Sequence, residues 1–187
     1  GLFVPSGTMS NAVAVRTHTQ PGDEIIAEEH SHLYVYEGGG YAALSGCSIG
    51  LVPGHHGLVH PEEVKKRIRK AEGSRSHFPN VSLICLENTS NRGGGTCYTL
   101  DTLNEIGKIA REHDCRMHLD GARLFNAVVA TGNRASELVA MFDSVSVCLS
   151  KGLGAPVGSV LVGSRSFIDQ AHRWRKMFGG GMRQSGI

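Results

Sequence analysis

Five short runs of aliphatic and β-branched residues, each closed by glycine or a polar cluster, constrain this chain most. They are Glu24-Ile25-Ile26-Ala27, Val81-Ser82-Leu83-Ile84-Cys85-Leu86, Met117-His118-Leu119, Val145-Ser146-Val147-Cys148-Leu149 and Ser159-Val160-Leu161-Val162. Runs of this kind read as strands, and the more continuously apolar ones suit parallel strands buried on both faces. Helical patterns lie between them. Pro61 opens one in which Val64 and Ile68 stand four apart, and Thr99 is placed to cap a second with Leu100, Leu103, Ile106 and Ala110 on one face. Residues 167–178 make a third, and 12–15 begin another. Strands alternating with helices predict an α/β fold, a mostly parallel sheet flanked by helices, with ligands held beyond the carboxyl ends of strands. Glycines mark the joints, and no internal repeat interrupts the pattern.

Bulk properties exclude several functions. A chain of 187 residues with a net charge of +2 has the size of one domain and no charge excess that calls for nucleic acid or an anionic membrane. The basic runs Lys65-Lys66-Arg67-Ile68-Arg69-Lys70 and His172-Arg173-Trp174-Arg175-Lys176 read as solvated helix faces. No apolar run approaches the ~20 residues that span a bilayer, and no signal-peptide layout is present. Five cysteines, an odd number without C-x-x-C spacing, read as reduced core thiols. A cytoplasmic location is expected, with a mitochondrial one left open because the chain starts at Gly1 without Met.

The chemistry gathers after the strand runs. Leu119-Asp120-Gly121-Ala122-Arg123 follows one, and Leu149-Ser150-Lys151-Gly152-Leu153-Gly154-Ala155-Pro156 follows another. A lysine leaving a strand into such a turn projects into a cleft, where burial lowers its pKa and leaves the neutral amine that attacks an aldehyde. Asp120 supplies a carboxylate that keeps a pyridinium nitrogen protonated, although a strand-end Asp is also a common helix cap. Pro5-Ser6-Gly7-Thr8-Met9-Ser10-Asn11 leads into a helix, and Gly7 with Thr8 offers amides, a hydroxyl and the helix dipole to a phosphate; the alternative is a plain Ser/Thr N-cap. After the first strand run comes Glu28-Glu29-His30-Ser31-His32, in which His32 is the candidate to stack on a ring. Together these residues point to pyridoxal 5'-phosphate held by Lys151 as a Schiff base. No Cys or carboxylate completes a metal-ligand spacing around His30, His32, His55, His56 or His60, so no metal is expected.

These residues also resemble a known family. Gly7-Thr8-Met9-Ser10-Asn11, Glu29-His30-Ser31-His32, Glu87-Asn88-Thr89, His118-Leu119-Asp120-Gly121-Ala122-Arg123, Leu149-Ser150-Lys151-Gly152-Leu153-Gly154 and Gly179-Gly180-Gly181-Met182-Arg183-Gln184-Ser185-Gly186 are similar, in order, to the low-specificity threonine aldolases. The resemblance implies the aspartate-aminotransferase-like fold, with 1–187 as part of the large cofactor-binding domain and with terminal segments and a small C-terminal domain missing. It implies that Lys151 holds the cofactor, Asp120 meets its ring nitrogen, His32 stacks on it, Gly7 and Thr8 hold its phosphate, and Arg123 contacts its phenolic oxygen and the substrate carboxylate. It implies an amino-acid substrate, threonine or allo-threonine cleaved to glycine and acetaldehyde, and a homodimer or homotetramer. One departure stands out: Ser90 replaces a histidine that the family places near the substrate hydroxyl, and a hydroxyl is no neutral-pH base unaided. Two other readings remain open, a truncated non-catalytic paralogue and another reaction on the same scaffold, such as β-elimination or racemisation.

Overall fold

The computed structural model describes residues 1–73 and 77–186. In chain order its elements are strand β1 (Leu2–Val4), helix α1 (Gly7–His18), β2 (Glu24–Glu28), α2 (His32–Val35), α3 (Gly40–Ala43), β3 (Ser48–Val52), β4 (Gly54–His55), β5 (Leu58–Val59), α4 (Pro61–Arg67), β6 (Val81–Glu87), α5 (Leu100–Glu112), β7 (Arg116–Asp120), α6 (Leu124–Thr131), α7 (Ala135–Leu138), β8 (Ser144–Cys148), β9 (Ser159–Gly163) and α8 (Arg165–Met177). All five strand runs read from the sequence are strands. They join β1 and β3 in a seven-stranded sheet of order β1-β9-β8-β7-β6-β2-β3. Strands β8, β7, β6, β2 and β3 are mutually parallel, whereas β9 runs antiparallel between β8 and β1. The connection 149–158 carries no crossover helix, so β9 returns beside β8 as a hairpin.

Period-two alternation divides the side chains between two faces. Ile26, Ile84, Leu86, Met117, Leu119 and Val145 point to the side covered by α4, α5, α6 and α7, where they meet Val64, Leu103, Ile106, Ala127 and Leu138. On the opposite side Ile25, Ala27, Leu83 and Cys85 pack with Val15 of α1. There, too, Val13 and Ala14 of α1 pack with Phe167 and Ala171 of α8 over Leu161. The predicted helix starts hold: Thr99 Oγ1 accepts from Thr102 N at 3.2 Å, and Pro61 stands in the first turn of α4.

Helix α4 ends sooner than the Val64/Ile68 spacing suggests, with Ile68 in extended conformation as its C-cap. The basic run is not simply a solvated face. Arg67 donates to Glu24 Oε2 at 3.1 Å and Oε1 at 2.8 Å, and Arg69 Nη2 reaches the same carboxylate at 3.0 and 3.2 Å. A buried carboxylate needs such partners, and bringing two guanidinium groups to Glu24 turns the chain out of the helix. All five cysteines are free, Cys97 half-buried and the rest buried. Among the described residues, no helix is long and apolar enough to cross a membrane.

Candidate functional site

Helix α1 begins beside the carboxyl ends of the parallel strands and runs along the sheet toward their amino ends. Ser6 is its N-cap: Ser6 Oγ accepts from Met9 N at 3.1 Å, and Ser10 N donates to Ser6 O at 3.1 Å. The amides of Gly7 and Thr8 therefore lie ahead of the first helical bond, where an anion is best received. Both sequence readings of this turn meet here, with Ser6 as cap and Gly7 and Thr8 as the first two helical residues. A Cβ on Gly7 would stand 2.8 Å from Cys148 Sγ, so glycine is required for α1 to start this close to the end of β8.

A cavity of about 250 Å³ opens at that point, lined by Gly7, Thr8, His32, Ser150, Lys151 and Gly158 among others. Lys151 is half-buried at its wall, more exposed than the sequence suggests. Its connection is pinned by Leu149 N to Gly158 O at 3.0 Å, Ala155 N to Leu149 O at 3.0 Å and Gly154 N to Lys151 O at 2.9 Å. Gly154 and Gly158 take φ of +72° and +104°, which suit glycine. The lysine therefore stands on a fixed turn.

Asp120 ends β7 with its side chain toward α1. Its Oδ2 accepts from Asn11 Nδ2 at 2.8 Å and its Oδ1 from Ala122 N at 3.1 Å. It does not cap α6, whose N-cap is Arg123. The other Asn11 Nδ2 hydrogen goes to Glu37 Oε1 at 2.7 Å, and His32 Nδ1 lies 2.9 Å from that same oxygen. His32, Glu37, Asn11 and Asp120 thus form one network reaching the cavity through His32.

The hydrogen bond to Glu37 raises the His32 pKa, outweighing its partial burial. The Glu37 pKa moves up as well, against what an ion pair alone would do, because burial and then the charge of Asp120 outweigh the imidazole. Burial also raises the Glu87 pKa, followed by the charge of Asp120; Glu87 Oε2 accepts from His32 N and Oε1 from Asn91 N, tying two loops together at 2.7 and 2.8 Å.

The structure brings Lys151, His32, Gly7 and Thr8 to one cavity and links Asp120 to them through Asn11 and Glu37. It does not bring Arg123 or Ser90 to the cavity wall. Arg123 Nη1 donates to Asn91 Oδ1 at 3.1 Å, while Ser90 is buried in a turn where its Oγ accepts from Gly93 N at 3.1 Å. Sequence reasoning gave no separate role to Glu37, Asn11 or His118. Glu37 precedes three glycines and looks like a solvated loop acid, whereas the alternating polar residues of Met117-His118-Leu119-Asp120 inside an otherwise buried strand were a readable signal. Among the described residues, two groups place possible ligand atoms within 4.8 Å of one another, Glu28 with Glu29 and His30, and His32 with Glu37 and Asp120. The sequence spacing did not anticipate carboxylates beside these histidines. In the second group, Asn11 and Ala122 N already bond the carboxylates.

Comparison with known proteins places these features in a wider set. The family model described as beta-eliminating lyase matches residues 1–187. Low-specificity L-threonine aldolase 1 of Arabidopsis thaliana is 47% identical over all of this chain, which covers 52% of that protein. The low specificity L-threonine aldolase of Escherichia coli K12 is 44% identical, again over the whole chain and 54% of its own length. The chain thus spans about half the length of these curated relatives. A solved structure of a putative L-allo-threonine aldolase from Listeria monocytogenes superposes with a TM-score of 0.83 at 28% identity, covering 97% of this chain and 48% of that one.

Proposed function

The chain belongs to the beta-eliminating lyase family, and on that premise we propose that it is the cofactor-binding large domain of a pyridoxal-phosphate aldehyde-lyase cleaving L-threonine or L-allo-threonine to glycine and acetaldehyde. The observation that carries this reading is the cavity in which an anion-receiving helix start, Gly7-Thr8, faces Lys151 and His32, with buried Asp120 joined to the same network. These residues fit pyridoxal 5'-phosphate, the cofactor of this family: the free amides at the start of α1 and the amine of Lys151 line one cavity, and Asp120 is a buried hydrogen-bond acceptor in the network that reaches it.

Bound there, the cofactor supplies a protonated ring that accepts the electrons of the breaking Cα–Cβ bond. Lys151 Nζ is the amine that would hold the cofactor aldehyde. Gly7 and Thr8 hold the phosphate with main-chain amides and a hydroxyl. Asp120 holds the ring N–H, and His32 covers the ring face, its bond to Glu37 fixing the imidazole. Arg123 and Ser90, which lie outside the cavity wall, are the residues that would meet the substrate carboxylate and hydroxyl, and Arg123 would have to part from Asn91 to do so. The reading extends to a homodimer or homotetramer, supported by exposed Val35, Tyr36 and Val129, and to a cytoplasmic or mitochondrial compartment, supported by five free thiols.

A second reading, β-elimination, is favoured by the description of the matching family. Products decide between them. Incubation of the intact protein with pyridoxal phosphate and threonine is expected to yield equal amounts of glycine and acetaldehyde. Pyruvate and ammonia from serine, with no acetaldehyde from threonine, would overturn the aldolase reading.

A further inference from the structure

A polar seam runs beneath α1 through a sheet face that is apolar on either side of it. Parallel register sets His118 beside Ser144 and Asp120 beside Ser146, and alternation points all four toward α1. From the amino end of the strands the contacts are His18 Nε2 to Ser144 Oγ at 2.8 Å, Ser144 Oγ to His118 Nδ1 at 2.8 Å, His118 Nε2 to Asn11 Oδ1 at 3.0 Å, and Asn11 Nδ2 to Asp120 Oδ2 at 2.8 Å. Ser144, His118 and Asn11 are all at most 1% exposed, so water offers them no alternative partner.

The donors can be ordered by elimination. Asp120 and Glu37 both take Asn11 as donor, so its NH₂ faces them and its Oδ1 faces His118. That oxygen can only accept, which makes His118 Nε2 the protonated nitrogen, with Ser146 Oγ as a longer second contact at 3.4 Å. His118 Nδ1 then accepts the single hydroxyl proton of Ser144, and the Ser144 oxygen accepts from His18 Nε2. Burial lowers the pKa of His118 to about 3 and that of His18 to about 4, in keeping with two neutral rings. The far end of the chain, His18, lines a separate cavity of about 520 Å³ with Arg116, Asp143 and Ser164.

We propose that Asn11 and His118 are positioning residues for Asp120, the last links of a one-way hydrogen-bond chain, His18–Ser144–His118–Asn11–Asp120, that fixes this carboxylate in the orientation a pyridinium nitrogen requires. The inference rests on the cofactor reading of Asp120. Every bond in the chain points the same way, toward the carboxylate, so none can reverse without setting two acceptors face to face at Asn11. Asn11 thus acts through Asp120, and His118 acts by holding the Asn11 amide in one of its two orientations.

The test has two arms on the intact protein. First, ¹⁵N-histidine NMR without added cofactor reads the tautomer: His118 is expected neutral with the proton on Nε2 from pH 6 to pH 8, and a proton on Nδ1 would overturn the chain. Second, pyridoxal phosphate affinity is measured by equilibrium titration for the parent, Asn11→Ala, Asp120→Ala and the double variant. Asn11→Ala is expected to weaken binding about tenfold or more, the loss of a hydrogen bond to a charged group, and to cost less than twofold further once Asp120 is already alanine. Equal effects in both backgrounds would show that Asn11 does not act through Asp120. A parent that bound no cofactor would sink the functional reading, and the tautomer would then decide the chain alone.

Discussion

Alanine at Gly7 brings a methyl carbon to 2.8 Å from Cys148 Sγ, roughly 1 Å inside the ordinary separation of about 3.5 to 4 Å. Yielding is restricted on both sides. Cys148 is 3% exposed at the end of central β8, and Gly7 is fixed by the Ser6 cap. Overpacking of this kind costs about 1 to 3 kcal/mol, while removing a glycine from the unfolded chain returns at most about 1 kcal/mol. A net loss of about 1.5 kcal/mol corresponds to a fall of roughly 3 to 6 °C in Tm for a chain of this size. The assay is thermal unfolding of the parent, Gly7→Ala, Cys148→Ala and the double variant. Cys148→Ala removes the obstructing sulfur but also the acceptor of the Ser159 hydroxyl at 3.2 Å, so alone it costs about 1 kcal/mol. The double variant should be more stable than the sum of the two singles predicts. If Gly7→Ala unfolds with the parent, or the two losses simply add, the close approach of α1 to β8 does not explain the glycine.

The remaining predictions concern charge. Glu24→Gln leaves Arg67 and Arg69 without their shared carboxylate and should destabilise by about 2 to 3 kcal/mol, less than a fully buried pair because both guanidinium groups are partly solvated; denaturant titration measures it. His18 and His118 have folded-state pKa values of about 4 and about 3 against 6.5 unfolded. Their contribution is complete above pH 6.5 and is lost as pH falls, because the unfolded state takes up protons that the folded state refuses. Each adds about 1.4 kcal/mol per pH unit to the slope between pH 6 and pH 4.5. Replacing His18 by Gln should remove one such increment, and an unchanged slope would show that His18 is not held neutral. His32 has the opposite sign. Its raised pKa stabilises below pH 6.5 and fades as pH rises through the folded value, a trend that Glu37→Gln should abolish in stability curves between pH 6 and pH 9.

Strands carried by several aliphatic residues were legible because burial on both faces leaves a continuous apolar signature. Strand β1, three residues long, was not, since it exists by pairing with β9 across more than 150 residues of chain. Edge strand β3 is interrupted by Gly50, and the reason lies elsewhere in the sequence: the Arg67 guanidinium crosses at 2.7 Å from where a Cβ would be. Helix α6 was passed over because its composition is apolar nearly all round, which leaves no helical stripe to read. At the site, Lys151, Asp120, His32 and the Gly7-Thr8 turn were legible because each follows a strand or opens a helix, where chemistry and backbone geometry coincide. Glu37 and Asn11 were not, because their importance comes from contacts between elements that local sequence does not encode. Alternation would have exposed the seam of Ser144, Ser146, His118 and Asp120 had polar residues inside buried strands been treated as a face rather than as interruptions.

Visible absorbance after addition of pyridoxal phosphate to the intact protein tests the central claim, that Lys151 holds the cofactor, most directly. The parent should develop a band above 400 nm that borohydride abolishes, and Lys151→Ala should show no band while still binding phosphate through Gly7 and Thr8. A parent without the band, or a Lys151→Ala protein that keeps it, would contradict the account.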